Sequence, residues 1–586
     1  MKKILSGNEA IARGAWEAAA DLATGYPGTP STEILETVAR SAEGIQCQWS
    51  VNEKVALEVA AGASWAGGRV MVTMKHVGLN VAADPLFTLA YTGVRGGLVI
   101  VNADDPQQFS SQNEQDNRHY ARSAKSPMLE PADSQEAKDF TRAAFDLSEG
   151  FDTPVILRTT TRISHSKTLV SLGERVERLL EPAVRKEPPK LVMVPEFGRR
   201  RHVELEKRIL RLKEYAEETP LNVLLPGRGD SLGIITSGAA FQYAREVFPG
   251  AGFLKLGLVY PLPKKLITDF ASRYRKVIVV EELDPFLEEQ IRSWGIEVEG
   301  SEKRALTGEL TPDLVKAAWG KAGGRKRPAA VTGIPARPPV LCPGCPHRGI
   351  FSVLKRKGVF VAGDIGCYTL AAIPPLAALD SCLCMGASFG TAFGMERILP
   401  PSKKRKVAAV IGDSTFFHSG ITPLADIVYN RGETLCIVLD NRTTAMTGRQ
   451  EHPGSGRTLG GEEVPRMSVA AIGKAMGVKN VAQVNAYDYR AVERVLDRML
   501  KARGPGLLVN NGACVLLERK PMAPPFVVDK GLCDGCRRCL MIACPSLSLE
   551  GKRKKAKVLI DPLTCYGCNL CAEVCTRGAI GCGGKS

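Results

Sequence analysis

Apolar and polar positions come in regular blocks along the first 160 residues of the chain. Apolar runs at residues 69–74 and 97–101 predict strands, and the second run is apolar enough to be buried on both faces of a sheet. Ala-rich stretches at residues 14–23 and 52–62 predict helices. Strands separated by helices of this length predict a parallel α/β domain, which we place at residues 1–165.

Three further blocks follow this domain. Residues 166–330 open with a charged stretch, in which a surface or connector helix is predicted near residues 203–217, and they end in a Pro-rich, basic linker at about 323–339. Residues 331–520 have α/β character again, and residues 521–586 are rich in cysteine after a proline hinge. The strands predicted in these blocks lie at residues 232–237, 276–281, 359–362, 407–411 and 435–439.

The chain is basic, and this indicates an acidic partner. It has 586 residues, a net charge of +16 and a pI of about 9.1. Composition alone does not choose among nucleic acid, an anionic membrane surface, an acidic protein and anionic small substrates. Basic runs at residues 403–406 and 552–555 are interpreted as solvated loops.

The cysteines are unevenly placed. Only one of the 17 lies in the first 341 residues, and nine lie between Cys533 and Cys582. A secreted disulfide protein would not concentrate its cysteines in this way. The first residues lack a signal-peptide core, and no apolar run of about 18 residues is present to span a membrane. We therefore expect a protein of the reducing cytoplasm.

Eight of these cysteines form two runs whose spacing is typical of iron–sulfur ligands. The runs are Cys533, Cys536, Cys539, Cys544 and then Cys565, Cys568, Cys571, Cys575. They closely match the bacterial two-cluster ferredoxin pattern, in which the fourth cysteine of each run ligates the other cluster. The two predicted [4Fe–4S] ligand sets are therefore Cys533, Cys536, Cys539, Cys575 and Cys565, Cys568, Cys571, Cys544.

Two departures from the ferredoxin pattern leave all eight ligands in place. Four residues separate Cys539 from Cys544 where the pattern has three, and Thr576 stands where a proline is usual. Structural zinc is the alternative, because C-x-x-C pairs also bind zinc, but zinc sites use pairs rather than triplets with a distant fourth ligand. Cys582 lies outside both runs and is not expected to bind a cluster.

A Gly-Asp turn follows the predicted strand at residues 407–411. The backbone amides of Gly412 to Ser414 could meet a diphosphate, and the Asp413 carboxylate could hold Mg²⁺. Asn441, at the end of the next predicted strand, and the carbonyl of Thr443 are further oxygen donors. Such a turn alone is more often an Asx cap, but the spacing from Asp413 to Asn441 across one βαβ unit favours a cofactor site.

Several segments together resemble the 2-oxoacid:ferredoxin oxidoreductase family, and in particular the large subunit of its indolepyruvate subfamily. The segments are residues 25–31, 52–63, 105–118, 341–347 and 363–369. The resemblance implies an α/β multidomain fold with thiamine diphosphate as cofactor. Its four parts are a pyrimidine-binding domain at 1–165, a connector with a transketolase C-terminal-like domain at 166–330, a diphosphate-binding domain at 331–520 and a two-cluster ferredoxin domain at 521–586.

The resemblance also implies roles for individual residues. Glu53 matches the glutamate that contacts the cofactor's aminopyrimidine, with Glu58 as the alternative. Thr29 matches the threonine that contacts the substrate carboxylate. Arg122 matches the arginine that pairs with this carboxylate, and Arg118 is the alternative.

Further residues near these segments have more than one interpretation. Lys75 and His76 follow a predicted strand, and His76 is either a substrate or proton-transfer group or a structural histidine. Gly366 and Cys367 are expected to border the cofactor. Cys342 and its partner Cys345 look like a metal-binding pair, but no second pair is well placed, which favours a structural role near the cofactor over zinc.

The implied reaction is the oxidative decarboxylation of an aryl 2-oxoacid such as indolepyruvate. Coenzyme A takes the acyl group, carbon dioxide leaves, and electrons pass through the two clusters to an external acidic ferredoxin. No segment supplies the small-subunit domain, so a small (beta) partner subunit is expected, in a heterotetramer of two large and two small subunits. Another 2-oxoacid substrate, a non-oxidative thiamine-dependent decarboxylase and a pure electron-transfer subunit remain alternatives; a nucleic-acid or membrane partner is not expected.

Overall fold

The computed structural model describes residues 1–178, 183, 185–320, 339–400, 406–517, 520–551 and 556–583. The chain forms two compact units, Met1–Val331 and Thr332–Ser586. Most of the predicted linker at 323–339, most of the basic run at 403–406 and the whole run at 552–555 lie outside the described residues. The division into four domains stays a prediction.

The first unit contains three sheets with helices around them. Its strands are β1 (Lys2–Ser6), β2 (Leu22–Gly25), β3 (Gln46–Trp49), β4 (Val70–Lys75), β5 (Leu98–Asp104), β6 (Met128–Leu129), β7 (Val155–Thr160), β8 (Lys167–Ser171), β9 (Val223–Leu225), β10 (Gly233–Ser237), β11 (Gly252–Leu256), β12 (Leu258–Tyr260) and β13 (Val277–Val280). Its helices are α1 (Gly7–Glu17), α2 (Thr32–Ser41), α3 (Glu53–Trp65), α4 (His76–Val81), α5 (Ala83–Thr92), α6 (Arg118–Ala124), α7 (Ser134–Phe151), α8 (Thr161–His165), α9 (Pro188–Leu191), α10 (Pro195–Glu218), α11 (Gly238–Val247), α12 (Lys264–Ala271), α13 (Phe286–Ser293) and α14 (Pro312–Trp319).

The main sheet of this unit has seven strands in the order β12-β6-β7-β5-β4-β2-β3. All neighbouring strands are parallel except the edge pair of β12 and β6. The strands β4, β5 and β7 are buried along nearly their whole length because helices cover both faces. The parallel order brings the carboxyl ends of β2, β4 and β5 to one edge, where ligands bind in open α/β sheets.

A four-stranded sheet, in the order β13-β10-β11-β9, forms the second layer of the unit. Helix α11 contributes Phe241 and Ala244 to its core, where they pack against Ile234 and Phe253 of the sheet. A two-stranded antiparallel ribbon joins β1 to β8. The segment predicted as a separate block at residues 166–330 contributes one strand to the main sheet, because β12 pairs with β6.

The second unit combines a parallel sheet with a small domain of two hairpin-like ribbons. Its strands are β14 (Phe360–Gly363), β15 (Ser381–Cys382), β16 (Val407–Gly412), β17 (Leu435–Asp440), β18 (Asn480–Asn485), β19 (Gly506–Asn511), β20 (Phe526–Val528), β21 (Leu547–Glu550), β22 (Lys557–Ile560) and β23 (Ile580–Cys582). Its helices are α15 (His347–Arg356), α16 (Ser388–Ile398), α17 (Asp413–Thr415), α18 (Ile421–Tyr429), α19 (Val469–Ala475), α20 (Tyr489–Lys501) and α21 (Leu570–Glu573).

The six-stranded sheet of this unit, in the order β15-β14-β16-β17-β19-β18, is parallel throughout. Successive residues of β16 point to opposite faces, as the period of a strand requires. Val407, Ala409 and Ile411 pack with α16, α18 and α19, whereas Ala408 and Val410 pack with α15 and α20. The sheet therefore has a core on each face, which explains why its strands are continuous apolar runs in the sequence.

The small C-terminal domain pairs β20 with β23 and β21 with β22, both antiparallel. Two of its apolar side chains, Ile542 and Leu570, are buried in the same core as α15 and α20. The domain is thus packed onto one face of the six-stranded sheet. Within the described part of the chain, no helix is long and apolar enough to cross a bilayer.

The predicted strands are confirmed, with ends shifted by up to three residues, but the bounds expected for the helix at 14–23 are wrong. Helix α1 begins earlier because Ser6 and Glu9 form a capping box, and it ends at Glu17. The apolar residue Ala23 lies in β2 and pairs with Met71 of β4. Alanine suits both a helix and a buried strand, so composition misplaced the boundary.

The helix predicted near residues 203–217 is confirmed as part of α10. It is more than a surface connector, because Leu205, Ile209, Leu212 and Ala216 are buried on one of its faces. Their spacing of three to four residues places them on one stripe of the helix.

Candidate functional site

The two glutamates that the sequence left as alternatives occupy different environments. Glu53 is the first residue of α3 and is only 5% exposed. Its carboxylate lies against α4, where a Cβ at Gly78 would come within 2.6 Å of Glu53 Oε1. Glu58 is exposed and forms an ion pair with Lys54 on the helix surface. Of the two, only Glu53 is a buried carboxylate at the sheet edge.

Lys75 lies beside Glu53 at the end of β4. Its ammonium group donates to the carbonyl of Ser110 over 3.2 Å. Burial lowers the pKa of Lys75 to about 8, although the nearby Asp105 and Glu53 carboxylates oppose the shift. The Ser110 hydroxyl in turn donates to the Thr29 carbonyl over 3.3 Å. The structure therefore brings Thr29, Lys75 and Glu53 to one edge of the first unit's main sheet.

His76 is fully buried at the start of α4. Its Nε2 lies 3.1 Å from the Asn113 carbonyl oxygen. Burial, together with the neighbouring Lys75 charge, lowers the pKa of His76 to about 4, so the ring is neutral near pH 7. This environment favours the structural interpretation of His76 over a role in substrate binding or proton transfer.

The alternative in which Arg118 binds the substrate carboxylate does not fit the fold. Arg118 is 1% exposed, and its guanidinium group donates to Asp116, to Glu281 over 2.7 Å and to the carbonyls of Glu282 and Asp284. These partners hold it inside an ion-pair network. Arg122, on the same helix α6, is exposed and stays the predicted carboxylate ligand.

Replacing Arg118 with methionine is expected to destabilise the protein by about 3–5 kcal/mol, because the buried Glu281 carboxylate loses its ion-pair partner and, among the described residues, Asp116 keeps only the ion pair with Arg158, at 3.9 Å. The fall in the midpoint of urea denaturation measures the effect. Arg122→Met is the matched control, and its stability should stay within about 0.5 kcal/mol of the parent chain. Equal stability of the two variants would contradict the structural role of Arg118.

In the second unit, the predicted magnesium ligands lie at the ends of neighbouring strands. Gly412 of β16 pairs with Leu439 of β17, which places Asp413 next to the segment that contains Asn441. Asp413 is 3% exposed and accepts hydrogen bonds from the backbone N–H groups of Ser414 over 2.8 Å and Arg442 over 2.7 Å. The Asp413 carboxylate therefore lies together with the backbone amides of Ser414 and Arg442.

Two polar residues of this turn region were missed in the sequence. His452 Nε2 lies 3.3 Å from Asp413 Oδ2. Burial and the adjacent Asp413 charge raise the pKa of Asp440 to about 6. Asp440 precedes Asn441 directly and could have been considered, but nothing in the local sequence connects His452 with Asp413.

Tyr368 joins the Gly366–Cys367 loop to the same turn. Its hydroxyl accepts a hydrogen bond from the Gly412 N–H over 2.9 Å and donates to the Ile365 carbonyl over 3.0 Å. His347, at the start of α15, packs edge-on against the Tyr368 ring. The buried Nδ1 atom of His347 has no hydrogen-bond partner within the described residues.

The chemistry of this donor set fits a magnesium diphosphate. Asp413 supplies a carboxylate, Asn441 and Thr443 supply neutral oxygens, and Mg²⁺ prefers such oxygen ligands. The unpartnered nitrogen of His347 suits a phosphate oxygen. The N–H groups of Gly412 and Ser414, which were expected to meet the diphosphate, donate instead to Tyr368 and Asp413. Ser414 is also buried here, although its hydroxyl already accepts from Thr444 over 2.9 Å.

The eight predicted cluster ligands gather in two groups of four in the C-terminal domain. One small cavity is lined by Cys533, Cys536, Cys539 and Cys575, which we call the outer set. A second cavity is lined by Cys544, Cys565, Cys568 and Cys571, which we call the inner set. Each group thus combines three cysteines of one run with the fourth cysteine of the other.

Three family models match the chain in the order of these sites. The pyruvate flavodoxin/ferredoxin oxidoreductase thiamine-diphosphate-binding family matches residues 13–218, the C-terminal TPP-binding domain of thiamine pyrophosphate enzymes matches 364–509, and the 4Fe-4S dicluster domain matches 532–579. The predicted thiamine-diphosphate domains and two-cluster domain are confirmed by these matches.

Curated relatives match over nearly the whole chain. Indolepyruvate oxidoreductase subunit IorA of Methanothermobacter thermautotrophicus is 42% identical over 99% of this chain and 97% of that protein. The proteins of the same name from Archaeoglobus fulgidus and Pyrococcus horikoshii are 41% and 39% identical, each over 99% of this chain and 97% and 96% of their own length. This chain belongs to the IorA family. It is a thiamine-diphosphate-dependent 2-oxoacid:ferredoxin oxidoreductase.

This IorA-family chain contains a third group of cysteines, which the sequence reasoning did not assemble. The thiols of Cys345 and Cys367 each neighbour Cys342, and Cys514 neighbours both Cys342 and Cys367. Burial, with the adjacent thiols adding to it, raises the pKa of Cys345 to about 12. No second C-x-x-C pair accompanies Cys342 and Cys345 in the sequence, but the fold brings the separate residues Cys367 and Cys514 to them.

The members of this third group lie outside the strands and α-helices, at one region of the sheet. Cys342 and Cys345 precede α15, Cys367 follows β14 and Cys514 follows β19. The N–H of Cys514 donates to the Asn441 carbonyl over 3.0 Å, which places the group beside the proposed magnesium turn. A signal existed in the sequence, since Cys367 and Cys514 each come shortly after a strand.

The inner set of this IorA-family chain lies next to α15 and the segment before it. Arg348 of α15 is 1% exposed and donates to the carbonyls of Cys342 over 3.0 Å and Ile542 over 3.3 Å. Tyr566, next to Cys565, donates to the Val515 carbonyl over 3.0 Å. The inner set, whose four cysteines are half-buried, therefore lies between the third cysteine group and the rest of the C-terminal domain.

Proposed function

We propose that this chain oxidatively decarboxylates aryl 2-oxoacids, with indolepyruvate as the main substrate and coenzyme A as the acyl acceptor. The proposal rests on one observation: the same chain contains a buried glutamate at a sheet edge, an Asp413–Asn441 turn and a group of cysteines next to that turn. The relatives' name supports the choice of indolepyruvate. When bound, thiamine diphosphate supplies the electron sink for decarboxylation.

The chain's own residues would prepare this chemistry in the first unit. Glu53 would hold a proton on its carboxyl group against the aminopyrimidine nitrogen. Its burial keeps this carboxyl away from bulk water. Thr29 and Arg122 would contact the substrate carboxylate, and a guanidinium binds a carboxylate through two parallel hydrogen bonds.

In the second unit, Asp413, Asn441 and the Thr443 carbonyl would hold Mg²⁺. The backbone of Gly366 and Cys367 and that of Gly412 to Ser414 would border the diphosphate. His452 orients Asp413, because it lies within 3.3 Å of the carboxylate. This arrangement leaves the carboxylate ionised, since His452 and the backbone N–H groups outweigh burial and lower the pKa of Asp413.

A small (beta) partner subunit is proposed because the relatives are named as subunits. The proposed assembly contains two large and two small subunits. An external acidic ferredoxin is the proposed electron acceptor, and the chain's net charge of +16 would attract it. A cytoplasmic location remains the prediction from the cysteine content.

The reconstituted complex tests the substrate proposal. Initial rates of viologen reduction with coenzyme A should be highest for indolepyruvate, then phenylpyruvate, and low for pyruvate and 2-oxoglutarate. A higher rate with pyruvate or 2-oxoglutarate than with indolepyruvate would contradict the proposed substrate. Release of carbon dioxide and aldehyde without viologen reduction would instead identify a non-oxidative decarboxylase.

The third cysteine group is proposed to hold a further iron–sulfur cluster. In the described part of the chain, no three of its sulfur atoms lie within 4.8 Å of one another. Four sulfurs around one zinc ion, with Zn–S of about 2.3 Å, would be only about 3.8 Å apart. The inner and outer sets, whose cysteines match the ferredoxin pattern, likewise contain no such close trio among the described residues, and this likeness supports a cluster in the third group.

Cys514→Ser is expected to lower the iron content by about a third. Three [4Fe–4S] clusters would hold about twelve iron atoms, and the variant would lose the roughly four of the third cluster. Iron analysis and EPR spectra of the dithionite-reduced protein measure the loss. Cys436→Ser is a buried control that lies in β17, away from the group. Unchanged iron and spectra in Cys514→Ser would exclude the third cluster and leave the other two unaffected.

A further inference from the structure

The inner and outer sets have different surroundings. The cavity of the inner set is lined partly by Gly344, which precedes α15, and by Arg348 of α15. The cavity of the outer set is lined, among the described residues, by the C-terminal domain alone. Cys536 is itself exposed. A cluster held by the outer set is therefore the one farther from α15 and the third cysteine group, and solvent reaches it at Cys536.

A groove of about 680 Å³ opens next to the outer set. Arg538 and Thr576 line it, and they are the direct chain neighbours of Cys539 and Cys575. Its other wall comes from α15 and α20. The groove thus extends from the chain neighbours of the outer set to α15 and α20, all within one unit.

The charged side chains of the groove are mostly basic. Four basic and two acidic side chains line it: Lys355, Arg356, Arg490, Arg538, Glu493 and Glu573. Both carboxylates are engaged within the unit, since Glu493 pairs with Arg356 and Glu573 accepts from the Arg490 N–H over 3.3 Å. Among the residues that the structure describes, the guanidinium groups of Arg490 and Arg538 have no carboxylate partner.

The positive surface continues along α20. Arg490, Arg494 and Arg498 follow one another at intervals of four residues, and Arg490 and Arg494 are exposed. Residues at this interval share one face of a helix. Beside them, the side chain of Met541 is 45% exposed in the groove. An apolar contact with a charged rim is typical of short-lived complexes that charge steers into place.

We propose that this groove is the docking surface for an acidic protein that carries a one-electron centre, such as a ferredoxin. The proposal rests on the proposed function, because it places the exit of the electrons beside the outer set. One electron would leave a reduced cluster at the outer set and reduce the oxidised carrier, with no bond or proton changing place. Opposite charge brings the carrier to Arg490 and Arg538, and the groove holds it next to Cys539 and Cys575.

Charge reversal tests the docking surface on the reconstituted complex. The variant carries Arg490→Glu and Arg538→Glu, and the two acceptors are an acidic two-cluster ferredoxin and methyl viologen, which is a small cation. We expect kcat/KM for ferredoxin to fall about 10- to 100-fold at low salt and the difference to shrink as salt is added. The viologen rate should stay within about twofold, because a small cation does not depend on the basic groove for binding.

Two further variants separate docking at the groove from damage to the outer set and from a change in net charge. Arg490→Glu with Arg494→Glu leaves the chain neighbours of the cluster ligands unchanged and should still weaken ferredoxin reduction. Lys474→Glu changes the charge of α19, on the opposite face of the sheet, and should leave ferredoxin reduction at the parent rate.

Three results would overturn the docking proposal. The first is an unchanged kcat/KM for ferredoxin in both reversal variants. The second is an equal loss with Lys474→Glu, which would reflect net charge alone. The third is a raised KM for coenzyme A with normal ferredoxin kinetics, which would assign the groove to the anionic co-substrate. Absence of any viologen reduction by the parent complex would instead contradict the proposed function.

Discussion

Glu53→Gln is expected to abolish the reduction of viologen with indolepyruvate and coenzyme A, with a loss of about 10²–10⁴-fold or more. Glutamine has nearly the shape of glutamate but neither holds nor releases a proton at this position. Glu53 is buried at the start of α3, so water does not readily replace its carboxyl group. Steady-state rates at saturating substrate measure the loss.

The iron content and cluster spectra of Glu53→Gln should equal those of the parent chain, because Glu53 is not a cysteine ligand and lies in the first unit. Glu58→Gln is the matched control on the same helix. Glu58 is exposed and pairs with Lys54 on the surface, so its loss should leave the rate within about twofold. If Glu58→Gln were inactive and Glu53→Gln active, the assignment of the two glutamates would be reversed.

Cys568→Ala is expected to remove or degrade the cluster of the inner set and to stop electron flow to ferredoxin. Cys568 and its three partners line one cavity, and alanine offers no thiolate to the iron. Since the inner set lies between the third cysteine group and the outer set, its loss interrupts the proposed route outward. Iron analysis, EPR spectra and ferredoxin reduction measure these effects.

Binding of thiamine diphosphate should survive in Cys568→Ala, because Asp413 and Asn441 lie on other loops of the unit. Cys582→Ala is the control, since Cys582 is exposed and lines neither cluster cavity. It should keep the iron content and the rate of the parent chain. Retention of all iron signals in Cys568→Ala would refute the assignment of the inner set.

Local patterns were sufficient where the chemistry lies within one short segment. The spacing of Cys565, Cys568 and Cys571 places three thiols on one tight loop, and such a loop has the same geometry wherever it occurs. The strands β16 and β17 were predictable because buried parallel strands are continuous apolar runs. Asp413 follows the first of these strands directly, so the turn could be recognised from the order of residues.

Helix boundaries were less predictable. Alanines between Gly14 and Ala23 suit a helix or a buried strand equally, and the capping box at Ser6 decided where α1 begins. The capping residues were present in the sequence, but the alanine-rich composition outweighed them in the prediction. The end of the helix depended on pairing between β2 and β4, which a local window does not contain.

The class of domains, the eight ferredoxin-type cysteines and the Gly-Asp turn could be identified from the sequence, because each depends on neighbours within a few residues. Long-range packing settled the rest: Glu53 is buried and Glu58 exposed, Arg118 belongs to an internal ion-pair network, and His452 stands beside Asp413. The same packing brought Cys514 next to Cys342 and Cys367. Contacts between distant segments depend on the order of strands in the sheet, and that order is set by the packing of the whole unit rather than by local periodicity.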